Sequence, residues 1–170
     1  MKLLVPEDRL YESYIEAGRE YKRQGIDTYH FLELPRHRLF SYFEDLRFGK
    51  NMPENYVPST YLWLSDGDEF LGEINIRHRL NDELLRFGGN IGYGVRISEW
   101  GKGLGTTMLA EALKYAGGVV GLERALITCN DNNIASARVI EKNGGRLQDV
   151  ITNIVDGVTR RTRRYWINIP

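Results

Sequence analysis

Three glycines fall within five residues in the stretch Trp100-Gly101-Lys102-Gly103-Leu104-Gly105-Thr106-Thr107. Glycine takes positive φ without a Cβ penalty and leaves its backbone N–H open to a ligand. The stretch lies between a strand-like apolar run, Ile91 to Ile97, and a helix-like run that begins near Thr106. A helix opening directly after the glycines adds unpaired amide donors and the positive end of the helix dipole. The chemistry this spacing can do is to hold phosphate on main-chain groups.

The flanking elements must position that loop. Pro6-Glu7-Asp8 reads as a helix entry, and Leu10, Tyr14, Ile15 or Ala17, and Tyr21 recur at helical spacing, which predicts a helix near 7–24. Pro35 opens a second helix, 35–48, that closes at Gly49, and the two prolines within 51–58 predict a loop. Thr60-Tyr61-Leu62-Trp63-Leu64 is β-rich and stops at the turn signal Ser65-Asp66-Gly67-Asp68. A second strand from Phe70 to His78 alternates from Ile74 onward, and 91–97 supplies a third. Met108, Leu109, Ala112, Leu113 and Ala116 form one apolar stripe on a helix that Gly117-Gly118 is predicted to end. A short strand, 124–129, and a helix starting among Asn130 to Asn133 follow. Two strands, 147–155 and 158–168, flank the hairpin dipeptide Asp156-Gly157.

Joined by one helix, the strands at 91–97 and 124–129 must run parallel. The predicted class is therefore an α/β domain with a mixed central sheet, an antiparallel meander and a closing β-hairpin.

At 170 residues the chain is expected to be a single domain. Lys+Arg and Asp+Glu balance at 23 each, so overall charge calls for neither nucleic acid nor an anionic membrane. Cys129 is the only cysteine, which excludes an internal disulfide and fits a reducing compartment. No apolar run approaches the roughly 20 residues that span a bilayer. The expectation is a soluble cytoplasmic protein with no metal site. Arg160, Arg161, Arg163 and Arg164 read as a solvated strand edge.

Two familiar phosphate loops do not fit. A Walker A loop needs Gly where Arg96 stands and Ser or Thr where Gly103 stands. The dinucleotide fingerprint accepts Gly101 and Gly103 but meets Thr106 in its last glycine slot. Over about 60–170 the chain instead resembles the GNAT superfamily of N-acetyltransferases, whose signature is Arg/Gln-x-x-Gly-x-Gly/Ala at a helix start. The segment Asn133-Ile134-Ala135-Ser136-Ala137-Arg138-Val139-Ile140-Glu141-Lys142-Asn143-Gly144 is similar to the family's fourth-helix segment. Ile76-Arg77-His78, Ile91-Gly92-Tyr93 and Ile140 to Gly145 resemble a bacterial branch of unsettled substrate. The signature's first position holds Trp100 instead of Arg or Gln.

The resemblance implies acetyl-CoA as co-substrate. Its pyrophosphate would lie on backbone N–H groups of Gly101, Lys102, Gly103, Leu104, Gly105 and Thr106. Its pantetheine would enter a V-shaped opening between the fourth and fifth strands, near Tyr93, Val95, Arg96 and Ile97, with Asn133 as a further contact. The N-terminal part, 1–58, would wall the acceptor site with Tyr11, Tyr14, Tyr29 and Phe31, and 60–170 would bind the cofactor.

Transfer to an amine also needs a proton acceptor and an acid for the thiolate. In many relatives a Tyr just before Glu-Lys-x-Gly is that acid, and here the position is Ile140. Ser136, one turn earlier, is the expected substitute, while helix capping is its ordinary role. His78 and Glu73 are the candidate bases and Tyr93 a candidate for holding water or substrate. His30 and His37 carry less weight. Cys129 raises a covalent route, and direct attack in a ternary complex is the preferred reading. The acceptor would be a small-molecule or peptide amine, with nucleic acid and membrane not expected and a homodimer open. The alternative is a non-catalytic acyl-CoA-binding sensor or interaction module.

Overall fold

A computed structural model describes every residue except Tyr29, Asp156 and Pro170, with Val155 described by its backbone alone. The aromatic assigned to Tyr29 and the turn position assigned to Asp156 lie outside the described residues.

The chain runs β1 (Lys2–Leu4), a 3-10 turn (Asp8–Leu10), α1 (Tyr11–Arg23), α2 (Arg36–Phe48), β2 (Ser59–Asp66) and β3 (Glu69–Arg77). A short α3 (Asp82–Arg86), β4 (Ile91–Val95), a 3-10 turn (Ile97–Glu99) and α4 (Leu104–Tyr115) follow. A π-helical turn (Ala116–Val120), β5 (Arg124–Asn130), α5 (Ile134–Lys142), β6 (Arg146–Val155) and β7 (Val158–Asn168) complete it. The seven strands form one sheet in the order β1-β2-β3-β4-β5-β7-β6. All neighbours are antiparallel except β4 and β5. This is the expected mixed α/β sheet with a meander and a closing hairpin.

Alternation along the strands sends side chains to two different cores. On one face, Leu62, Ile74, Ile76 and Ile91 pack against Met108, Leu109, Ala112 and Leu113 of α4, the stripe the sequence spells. On the other, Trp63 and Phe70 pack against Leu10, Tyr14, Leu39 and Phe43 of the N-terminal helices. Tyr14 stacks on Trp63 with centroids 4.4 Å apart.

The decisive feature is the junction of β4 and β5. They share one parallel register pair, Ile91↔Ile127, and then separate. Buried Asn90 pins the end where they meet. Its backbone N–H donates to Leu126 O (2.6 Å), its Oδ1 accepts from Leu126 N (2.9 Å) and its Nδ2 donates to Arg77 O (3.2 Å). Past this point the strands leave main-chain groups facing a gap, the V-shaped opening.

Four expectations are corrected. The third meander strand ends at Val95 rather than Ile97, because the chain turns into the 3-10 segment and Arg96 N bonds Leu71 O (2.9 Å). Gly117-Gly118 does not end α4; the helix widens into the π turn and stops at Gly121, whose φ is +81°. The opening residues add a seventh strand, β1, on the edge. Finally, the arginine-rich β7 is not an edge. It lies between β5 and β6, and Arg163 and Arg164 pair with Asp131 and Asp149.

Asn90→Ala is expected to lower unfolding stability by about 2 kcal/mol, because Leu126 N–H and Arg77 C=O lose buried partners. A urea denaturation midpoint equal to wild type would show that Asn90 does not hold the apex.

Candidate active site

The Gly101–Thr106 loop enters α4 through Gly103, the N-cap, at φ +80°. Gly101 has φ +79°. A cap without a side chain leaves the first-turn amides without the oxygen that Ser or Asp would supply. Thr106 N and Thr107 N turn back to Gly103 O (3.1 and 3.3 Å), and a Cβ built on Gly101 or Gly103 would meet nothing within 4 Å. The loop is an open cradle of N–H donors at a helix N-terminus, which fits a pyrophosphate. Lys102 Nζ pairs with Glu99 (2.9 Å). Trp100, at the departing signature position, donates its indole N–H to Val95 O (2.8 Å), and Tyr21 Oη donates to the same oxygen (2.7 Å). Both lone pairs of that carbonyl are therefore used within the protein. The Arg96 side chain turns toward α1, to Glu20 (2.7 Å) and Ser13 Oγ (3.2 Å), and Ile97 packs against the aromatic core. Any ligand contact in 95–97 falls to the remaining main-chain groups.

At the opening, Tyr93 and Ser136 come together, with their hydroxyl oxygens 2.8 Å apart. The single Tyr93 hydroxyl proton has two acceptors within reach, Ser136 Oγ and Ser136 O, the latter at 3.2 Å. Burial raises the phenol's pKa above its ordinary value, and the Ser136 hydrogen bond opposes that shift. Ser136 is set at this point by Asn133, whose Oδ1 caps α5 by accepting from Ser136 N (3.0 Å). Ile140, at the family's usual tyrosine position, is fully buried in the α4-side core. Cys129 is 8% exposed, and burial pushes its thiol up to about 11, so it is protonated at neutral pH.

A cleft of about 1150 Å³ extends from Tyr93, Cys129 and Ser136 across the α1–α2 side of the sheet. His30, Tyr42, Tyr61, Asn75, Arg77 and Phe87 are among its lining residues. Two of the proposed bases do not reach it. Glu73 is 0% exposed and accepts from Trp63 Nε1 (3.1 Å). His78 is hydrogen-bonded through Nε2 to Thr60 Oγ1 (2.9 Å), and burial followed by Arg47 lowers its pKa. Tyr14 and Phe31 are buried in the aromatic core, and Tyr11 donates to Leu34 O (2.9 Å).

His30, given little weight from sequence, is the imidazole that lines the cleft. Its Nδ1 lies 3.3 Å from Glu73 Oε1. In the tautomer with Nδ1–H donating to this oxygen, Nε2 is the ring's lone-pair atom. The ring covers β4 at Gly92 and Gly94. A Cβ on Gly94 would stand 3.0 Å from His30 Cδ2, so glycine is what lets imidazole and strand meet. The next residue, Phe31, has φ +62°, a conformation uncommon for a bulky side chain. Its ring anchors in the aromatic core while Leu32 N donates to Tyr14 Oη (2.6 Å). No local motif signals this arrangement, since Glu73 and His30 are 43 residues apart.

A Glu at Gly103 would combine a left-handed φ, costing a non-glycine residue about 1–2 kcal/mol, with a negative charge in the cradle. Gly103→Glu is expected to weaken acetyl-CoA binding by roughly 100-fold in calorimetry. Unchanged affinity would remove this loop from the cofactor site.

Comparisons with known proteins give the family and the fold. The acetyltransferase (GNAT) domain family matches residues 19–146. No curated protein is detectably similar in sequence. Among solved structures, the microcin C7 self-immunity acetyltransferase MccE, bound to acetyl-CoA and AMP, is similar with a TM-score of 0.71 at 19% identity, over 98% of this chain and 91% of that one. RimL, an alpha-N-protein acetyltransferase in complex with coenzyme A, gives 0.71 at 15% identity, over 98% and 93%. A SpeG spermidine N-acetyltransferase variant from Vibrio cholerae gives 0.67 at 14% identity, over 99% and 95%. The chain thus belongs to the GNAT acetyltransferase family, whose acetyl donor is acetyl-CoA.

Proposed function

We propose that the protein transfers the acetyl group of acetyl-CoA directly to a primary amine in a ternary complex. The observation that carries this reading is the β4–β5 opening, with the Tyr93–Ser136 hydroxyl pair at its margin and a large cleft leading to it.

Acetyl-CoA supplies the activated thioester. The loop amides from Gly101 to Gly105 hold its phosphates, with Thr106 N closing the turn on Gly103 O, and the unpaired edges of β4 and β5 orient the arm between them. An acceptor amine of the lysine type is protonated at neutral pH, with pKa near ~10.4, and must lose a proton before attack. His30 Nε2 is the base in this reading, with Nδ1–H held by Glu73. Buried Glu73, named from sequence as a base, acts through His30 as a positioning residue. The departing sulfur gains a proton from Ser136 Oγ, which Tyr93 Oη replenishes across their 2.8 Å contact. Asn133 sets that hydroxyl by capping α5. Cys129 stays a protonated thiol and forms no acetyl-enzyme. His78 lies outside this relay. Ile140 has no proton to give, and Ser136, one turn earlier on the same helix and in contact with Tyr93 of β4, supplies the hydroxyl that a non-catalytic sensor would not need.

Ser136→Ala and Tyr93→Phe are each expected to lower kcat roughly 100-fold, the scale of one general acid, with little change in acetyl-CoA affinity. His30→Gln should lower kcat/KM by a similar factor. The assay is release of the CoA thiol across an amine panel. Full turnover in both hydroxyl variants would leave Ser136 as a first-turn residue of α5 with no part in proton transfer, and tight acetyl-CoA binding with no amine acetylated would favour the sensor.

A further inference from the structure

Beyond His30, β3 presents its alternate residues Glu73, Asn75 and Arg77 toward the α1–α2 side, and the last two line the cleft. Glu73 is fully accounted for by Trp63 and His30. Arg77 is not. Its Nη1 donates to Gly88 O and Gly89 O, each at 3.1 Å. Among the described residues no carboxylate pairs with it, and its Nε–H and Nη2 donors have no protein partner. Burial is the main influence on this guanidinium and lowers its pKa, opposed by the oxygens of Tyr61 and Tyr56. Arginine remains charged all the same, and this half-buried cation has no counter-ion among the described residues. A planar fork of N–H donors facing a cleft matches an oxyanion in two parallel hydrogen bonds.

Base and cation approach the same position of β4, Gly92, whose N–H donates to Asn75 Oδ1 (3.2 Å). A Cβ on Gly92 would stand 3.7 Å from His30 Cε1, 3.8 Å from Arg77 Nη1 and 2.9 Å from Asn75 Oδ1. The imidazole, the guanidinium and the Asn75 amide thus border one glycine of β4, with Arg77 Nη1 tied to Gly88 O and Gly89 O and the Nε–H and Nη2 donors left over. A compact molecule with an amine and an acid group a few bonds apart can address both the imidazole and those donors.

Resting on the acetyl-transfer reading, we propose that the acceptor is an anionic amine, a small amino acid-like molecule whose oxyanion docks on Arg77 while its amine faces His30. The guanidinium neutralises and orients the acid group; it takes no part in proton transfer. Leu32, Tyr42 and Phe87 line the wider cleft and suit an apolar substituent. Polyamines, with no oxyanion and several positive charges, are disfavoured by the same cation.

The test uses a panel of L-amino acids, each matched with its decarboxylated amine, such as L-phenylalanine with phenethylamine. The corresponding 1-aminoalkylphosphonates separate carboxylate from phosphonate recognition, and spermidine is the polycationic control. Binding to the CoA-saturated protein is measured by calorimetry, and turnover by CoA release. For the best pair, the acidic member is expected to bind roughly 10- to 100-fold more tightly than its amine, the range of a charge-assisted hydrogen-bonded pair. Arg77→Gln should bring that ratio toward 1 and Arg77→Lys should restore part of it, while CoA affinity in both reports an intact fold. Equal or tighter binding of the decarboxylated amines or spermidine, no binding by any acidic member, or a ratio unchanged in Arg77→Gln would overturn the proposal. Turnover of neutral amines alone would overturn it and leave acetyl transfer standing. Acidic amines that bind through Arg77 but are not acetylated would support the docking site and overturn the transfer reading.

Discussion

Two parallel strands that begin paired and cannot stay paired shape this molecule. β4 and β5 meet at Ile91↔Ile127, held by three hydrogen bonds of Asn90, and then diverge. A strand edge inside a sheet is ordinarily satisfied by its neighbour, so the divergence leaves backbone donors and acceptors in need of a partner. The α1 helix secures the far end of β4 through Tyr21 on Val95 O and Glu20 on Arg96. With the apex and the far end both fixed, the gap is a built feature of the sheet.

The two faces of the sheet divide the work. On the α4 side an aliphatic core holds the helix whose glycine-capped N-terminus forms the phosphate cradle. On the α1–α2 side an aromatic core surrounds one buried carboxylate, Glu73, satisfied by an indole and an imidazole. Removing water from a carboxylate is costly unless hydrogen bonds replace it. Here the replacement also fixes the orientation of His30. The left-handed φ of Phe31 fits the same scheme, since it turns one side chain into the core and sets its neighbour over the glycines of β4.

Features whose cause is local were legible in the sequence. The glycine loop, the α4 stripe, the Asn133 cap and six of the seven strands each follow from residues close together in the chain. Features set by distant partners were not. β4 stops at Val95 because Arg96 N finds Leu71 O, and β7 is interior because β5 and β6 both pair with it. Ser136 and Tyr93 were each visible as single residues, but their 2.8 Å contact joins a helix to a strand 43 positions away. The choice of His78 and Glu73 rested on residue type and strand position. Neither reveals that Glu73 is sealed beneath Trp63 or that His78 faces Thr60. His30 lies in a segment without periodic pattern, and only the folded chain brings it over β4.

The opening itself can be examined without knowing the acceptor. Acetyl-CoA titrated into isotope-labelled protein, followed by amide NMR, should shift or protect Gly101 to Thr106 together with residues on both sides of the gap, Tyr93 to Val95 and Thr128 to Asn130. Perturbations confined to the glycine loop, or placed elsewhere on the molecule with the gap unchanged, would mean that the divergence of β4 and β5 does not hold the cofactor.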